Sequence, residues 1–179
     1  MLFTSTGPGV SNAATGIVEA GFASTPVLHI TGQTKVLYAD RGMGLVHDIP
    51  DQLGLMRAAG KAAYRIRAPG EAFAVLRQAV SEAVGFPRGP VTVEVPIDVQ
   101  SIPVQRPPSL DYYAIPAPIA RAPTESEMGA LVDLVADAKR PMLWLGRGAL
   151  GASEQVRRLL DMGHTAGIIP QAAKVEFAA

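Results

Sequence analysis

The strongest constraint on this chain is an alternation of two signals along its first hundred residues. Brief β-branched or apolar runs, too short for helices, alternate with longer segments that are apolar at helical spacing. Val91-Thr92-Val93-Glu94-Val95-Pro96 is β-branched at nearly every position and reads as a strand. Val27-Leu28-His29-Ile30 is a short apolar run of the kind buried in a parallel sheet, and Thr31-Gly32-Gln33 reads as its end. Leu2 to Thr6 reads as the end of another strand, followed at once by Gly7-Pro8-Gly9. Between the first two strands, Ala14, Ile17, Val18, Gly21 and Phe22 recur at helical spacing, with Ser11 or Asn12 as the cap of a helix over 13–23. Pro50 opens a short helix to about Ala59, and Tyr64-Arg65-Ile66 alternates weakly, as a short strand does. From Pro69-Gly70-Glu71 to Gly85, the residues Phe73, Val75, Leu76, Ala79, Val80 and Val84 define a broad apolar helical face. Strands separated by helices in this order imply right-handed crossovers. The fold class is therefore α/β, with parallel sheets and flanking helices.

A change of composition follows. Six of the fifteen prolines fall between Pro103 and Pro123, where the periodic signal disappears, so residues 104–123 read as an extended linker over a surface. Beyond it, Thr124 with Glu127 three residues on makes a capping-box pattern. Leu131, Val132, Leu134, Val135 and Ala138 give the next helix, ending near Lys139, an apolar face. After Arg140-Pro141, Met142 to Leu145 reads as a buried strand, Gly146 to Gly151 as a glycine loop, 153–162 as a helix and 166–169 as a second strand. The expected division is 1–103, a linker over 104–123, and a second domain over 124–179.

Composition removes several function classes. Sixteen basic and sixteen acidic side chains leave no net charge, so there is no general electrostatic reason to hold nucleic acid or an anionic membrane. With no cysteine, disulfides, thiolate nucleophiles and sulfur-ligated metal sites are excluded. Three widely spaced histidines (29, 47 and 164) argue against an all-protein transition-metal site. A hydrophobic content of 48% with 18% charged residues argues against disorder. No apolar run approaches the ~20 residues of a membrane span, and no secretory leader pattern opens the chain, so the expected location is cytoplasmic.

The motifs converge on one resemblance. Thr6-Gly7-Pro8-Gly9-Val10-Ser11-Asn12, then Ile30-Thr31-Gly32-Gln33, then Val95-Pro96-Ile97-Asp98-Val99 and the proline-rich link to Leu145-Gly146-Arg147-Gly148 are similar to a pattern in thiamine-diphosphate enzymes. The family is that of acetohydroxyacid synthase, benzoylformate decarboxylase and pyruvate oxidase. The resemblance implies that 1–103 is part of a pyrimidine-binding α/β domain and that 124–179 opens a Rossmann-like central domain. It also implies that the family's activating glutamate lies before this stretch and its GDG signature for magnesium and diphosphate after it. No GDG occurs in the sequence. The chain is thus expected to be one segment of a longer decarboxylase or carboligase acting on a 2-oxo acid, inactive alone. The intact relative would hold thiamine diphosphate and magnesium and assemble as a homodimer or homotetramer.

By the same resemblance Ser5, Pro8 and Asn12 line the aminopyrimidine pocket, and Gln33 lies near the reactive thiazolium as a cofactor-binding and catalytic candidate. Loops at the carboxyl ends of parallel strands are where such sites form. His47, in the loop after Gly42-Met43-Gly44, is a candidate for acid–base work or carboxylate recognition, against the plain reading of a surface histidine. Arg57 and Lys61 read as helix-face charges, and His29 as a hydrogen-bonded core residue. No metal ligand is assigned. Gly146 to Gly151 matches GxGxxG between a strand and a helix; the plain reading is a packing turn, and FAD, ADP or NAD is the group such a loop would take as a binding site. A competing reading is accordingly a nucleotide-binding or regulatory module without catalysis. A third is a truncated reading frame with exposed sheet edges.

Overall fold

The computed structural model describes residues 1–109, 111, 114, 121–139, 142–161 and 166–168. Two compact units divide the chain, residues 1–119 and 120–179.

The first unit is a parallel four-stranded sheet. Its strands are β1 (Leu2–Thr4), β2 (Val27–Gln33), β3 (Ala62–Arg65) and β4 (Pro90–Pro96), ordered β1-β2-β4-β3. Helices α1 (Pro8–Phe22), α2 (Gln52–Ala59) and α3 (Ala72–Val84) connect them, and a single turn, α4 (Ile97–Gln100), follows β4. The expected parallel α/β layering is present. Several boundaries differ from the sequence reading, each for a physical reason. Helix α1 starts at Pro8 rather than Ala13, with Gly7 as its cap residue and no side-chain capping bond. Proline suits a first helical position because its missing N–H has no partner there anyway. Strand β2 continues through Thr31-Gly32-Gln33 because β4 pairs with it residue for residue, from Val27↔Pro90 to Gln33↔Pro96. Tertiary pairing here overrides the local turn signal.

The two faces of this sheet differ. Toward α3 point Val91, Val93 and Val95, packed with Leu28, Ala62, Tyr64, Val75, Leu76, Ala79 and Ala83 as an apolar core. Toward α1 and α2 the helices contribute Val10, Ile17, Leu53 and Met56, and β3 contributes Ala63. The strands on that side contribute His29, Thr31, Gln33, Thr92, Glu94 and Arg65, all buried. Both β2 and β4 alternate, with polar side chains buried on one face and apolar ones on the other. The apolar run at 27–30 thus belongs to a strand with one apolar and one polar side.

The second unit has α5 (Glu125–Asp137), β5 (Met142–Trp144), a 3₁₀ segment (Arg147–Ala152), α6 (Ser153–Asp161) and β6 (Ala166–Ile168), with β5 and β6 parallel. The capping box of α5 is formed. Thr124 Oγ1 accepts from the Glu127 N–H at 3.3 Å, and Thr124 N donates back to the Glu127 carboxylate at 2.8 Å. Its apolar stripe is not covered as expected: no α5 residue is buried, and Leu131, Val132 and Leu134 are each more than half exposed. The described part of this unit offers only two short strands and one further helix to pack against. Met162 and Ile169, the expected ends of α6 and β6, together with His164, Arg140-Pro141 and much of the proline-rich stretch, lie outside the described residues.

Candidate functional site

The β1–α1 turn at the carboxyl edge of the sheet is built around glycine. Gly7 has φ 63° and ψ −110°, a conformation open to glycine alone, and a Cβ there would run into the backbone carbonyl of His47. A Cβ on Gly9 would run into the Ser5 side chain. The turn therefore brings Ser5, Gly7 and His47 together. Pro8 and Asn12, one helical turn apart, share the exposed opening of α1. Ser5, Pro8, Asn12 and His47 are all exposed, and neither the Ser5 hydroxyl nor the Asn12 amide is engaged by another described residue.

Gln33 is placed differently from these four. Its side chain is buried, with Oε1 accepting from Thr34 N at 2.7 Å and Nε2 donating to Glu94 Oε1 at 3.5 Å. Behind it lies a network that the sequence reading did not single out. Gln52 joins Thr6, Gly7, Gly32 and Glu94. Arg65 donates to Glu94 Oε2 from Nε at 2.6 Å and to Asp40 Oδ1 from a terminal nitrogen at 2.9 Å. Glu94 is fully buried, and loss of water outweighs the pull of Arg65, so its carboxyl titrates above the usual range. Burial also works against the Arg65 charge, but the bonds and charges of Asp40 and Glu94 prevail and hold it above its usual range. The hydrogen bond from Arg65 holds Asp40 below the usual carboxylate range.

His29 is the core residue expected, with a defined tautomer. Thr4 Oγ1 donates to Thr31 Oγ1 at 3.0 Å, and Thr31 Oγ1 donates to the Ser5 carbonyl at 3.2 Å. The imidazole is held between the two threonines, Nε2 at 2.9 Å from Thr4 Oγ1 and Nδ1 at 3.1 Å from Thr92 Oγ1, and with Thr4 donating to Thr31 the matching tautomer carries its proton on Nε2. The ring is neutral, and burial lowers its pKa. Lys61 is not a helix-face charge: its ammonium donates to the Glu82 and Gly85 carbonyls at 2.5 and 2.9 Å and so caps the end of α3. Arg57 is exposed on α2.

Two other features bear on ligand binding. A cleft of about 440 Å³ lies at the opposite edge of the sheet, lined by Phe22, Gly60, Lys61, Arg88 and Pro90, and none of the five candidate site residues reaches it. In the second unit, a Cβ on Gly146, Gly148 or Gly151 would meet nothing within 4 Å, so packing does not require glycine there. Among the described residues no group of three His, Asp or Glu is placed to hold a metal ion. No helix among them is long and apolar enough to cross a membrane.

Comparison with known proteins places this geometry in context. Residues 1–55 match the thiamine pyrophosphate enzyme N-terminal TPP binding domain. The chain is 31% identical over 160 residues to acetolactate synthase 2, chloroplastic, of Brassica napus, covering 87% of this chain and 24% of the relative. It is 31% identical over 171 residues to a probable acetolactate synthase large subunit of Methanocaldococcus jannaschii, covering 88% and 27%. A probable 2-ketoarginine decarboxylase of Pseudomonas aeruginosa is 30% identical over 161 residues, covering 89% and 28%. The chain thus spans about a quarter of the length of these relatives. In sequence the chain is similar to thiamine-diphosphate-dependent enzymes, and its parallel α/β sheet is consistent with their N-terminal domain.

Proposed function

We propose that the first unit supplies the aminopyrimidine-facing side of a thiamine-diphosphate site in an enzyme that decarboxylates a 2-oxo acid or joins two of them, in the manner of an acetolactate synthase. The observation that carries this reading is the exposed group of Ser5, Pro8 and Asn12 around a turn that glycine alone can form. A proline ring, a hydroxyl and an amide offer one apolar and two hydrogen-bonding surfaces, which suits a flat amino-substituted heteroaromatic ring. What thiamine diphosphate supplies when bound is a nucleophilic carbon and an electron sink for the 2-oxo acid. Gln33 serves the reaction from the loop end of β2, and His47 faces the substrate from the loop that closes on Gly7. The diphosphate and its magnesium would be held by a further domain, contributed across a homodimer interface, as the resemblance to the family implies. We place the enzyme in the cytoplasm.

The test is an amide-shift titration of the ¹⁵N-labelled chain with thiamine diphosphate and magnesium, carried to high cofactor concentration because the chain without the diphosphate-holding domain should bind it poorly. Shifts confined to residues 4–12 and 31–34 are expected. Shifts absent there, or appearing at 146–151 with FAD or ADP instead, would move the function to the nucleotide-binding reading.

A further inference from the structure

Gln52 uses the full hydrogen-bonding capacity of its amide. Its Oε1 accepts from Gly7 N at 2.7 Å and Thr6 Oγ1 at 2.9 Å, and its Nε2 donates to the Gly32 carbonyl and to Glu94 Oε1, both at 3.0 Å. A side-chain amide has two acceptor and two donor positions, so none is left over. Its orientation is forced as well. The Gly7 N–H can only donate and the Gly32 C=O can only accept. A flipped amide would set donor against donor and acceptor against acceptor. The residue is fully buried, so water cannot replace a lost partner.

We infer that Gln52 is the positioning residue of this site, fixing the Gly7 turn, and with it Ser5, Pro8 and Asn12, against the end of β2. The inference rests on the assignment of that turn to the aminopyrimidine. Three elements meet at the one amide: the β1–α1 turn, the carboxyl end of β2, and Glu94 on β4. Glu94 is in turn held by Arg65, and Arg65 by Asp40 at the start of the loop that carries His47. That loop returns to Gly7, where the His47 carbonyl packs on the glycine. The distance between the Ser5–Asn12 surface and Gln33, which a bound ring would sense, is therefore set by a residue that touches neither the ring nor solvent. Few side chains can substitute. Asparagine is one methylene short. A glutamate still accepts from Gly7 but turns an oxygen toward the Gly32 carbonyl and the Glu94 carboxylate.

Hydrogen exchange of the Gly7 amide reads the bond directly. In the unaltered chain this amide should exchange as slowly as core sheet amides such as that of Val93; exchange at the rate of an open turn would overturn the inference without any variant. In Gln52→Leu, Gly7 exchange should rise by about tenfold or more, the loss of one buried hydrogen bond, while Val93 stays protected. Unchanged Gly7 exchange would refute the role. Gln52→Glu should weaken thiamine diphosphate binding, measured by amide-shift titration, by about tenfold. Adding Glu94→Gln should recover part of it, because the new amide donates to position 52 and still accepts from Arg65, while the Gly32 carbonyl still faces an oxygen. A double variant as weak as Gln52→Glu alone would mean that Gln52 does not act through this network. If the unaltered chain shows no shifts with the cofactor while Gly7 exchange responds as described, the assignment of the turn to the cofactor fails and Gln52 still fixes the turn.

Discussion

Replacing Arg65 by methionine isolates the cost of the charge buried under α1 and α2. Glu94 is fully buried, and the substitution removes the two guanidinium nitrogens that meet its Oε2 at 2.6 Å. Gln52 at 3.0 Å and Gln33 at 3.5 Å remain, and both sit on the other oxygen. Removing one partner of a buried pair typically costs about 3–5 kcal/mol, and the surviving amides place this case near about 3 kcal/mol. The Asp40 arm adds little, since Asp40 is more than a third exposed and such pairs contribute about 0–1 kcal/mol. The penalty belongs to the ionised carboxyl, so it must depend on pH. Burial already raises the Glu94 pKa, and loss of Arg65 raises it further. A group whose folded pKa lies above its unfolded value favours the folded state increasingly as pH falls through the folded value toward the ordinary ~4.3. Urea unfolding followed by far-ultraviolet circular dichroism should therefore show Arg65→Met destabilised by about 3 kcal/mol near neutrality and less in mild acid. Adding Glu94→Leu should recover only part of the loss, because it removes the unpaired buried charge but leaves the buried Gln52 and Gln33 amides without that acceptor. A loss below about 1 kcal/mol, or one that grows in acid, would refute the reasoning.

Three further outcomes are expected. Gly7→Ala combines a positive φ with a clash against the His47 carbonyl, and should cost about 2–3 kcal/mol in the same assay; a neutral substitution would mean that the turn is not held as described. His29 is neutral in the fold with its pKa lowered by burial, so the unfolded chain takes up a proton first as pH falls below about 6.5, and stability should decline from there. Denaturation midpoints across that range check it, and His29→Leu should remove the His29 part of the slope. Thr124→Ala removes the cap of α5 and should cost that helix about 1 kcal/mol, read as faster amide exchange over its first turn with the first unit's sheet unaffected.

The layered α/β architecture was legible because apolar periodicity and proline or glycine punctuation mark elements locally. The paired motifs at 6–12 and 30–33 located the carboxyl edge of the sheet. What escaped the sequence reading was the polar side of the sheet. The β-branched run Val-Thr-Val-Glu-Val marks a strand without marking Glu94, and His29 reads as a hydrogen-bonded core residue without its partners. The available signal was parity: His29, Thr31 and Gln33 share one face of β2, as Thr92 and Glu94 share one face of β4. Two neighbouring strands with polar residues on alternate positions predict a hydrogen-bonded face even where burial is complete. Gln52 gave no such signal, since a glutamine at the start of a helix is ordinarily solvated and only its bonds to Thr6, Gly7, Gly32 and Glu94 hold it inside. The apolar stripe of α5 shows the opposite failure, because periodicity states which face is apolar and not what is available to cover it.

The mixed face has a consequence for how the chain finds its pairing. On the α3 side, β2, β3 and β4 offer apolar surfaces such as Leu28, Ala62, Tyr64 and Val93, and a shift of β3 along β4 by two residues would set one such group where another had been. On the polar side the same shift is not tolerated. Arg65 lies opposite Glu94, and a displacement of two would set Glu94 opposite Ala63, and Arg65 opposite Pro96. An unpaired buried carboxylate would then stand in the middle of the sheet, at a cost of several kcal/mol. The Arg65–Glu94 pair thus acts as a key that admits one alignment of β3 on β4.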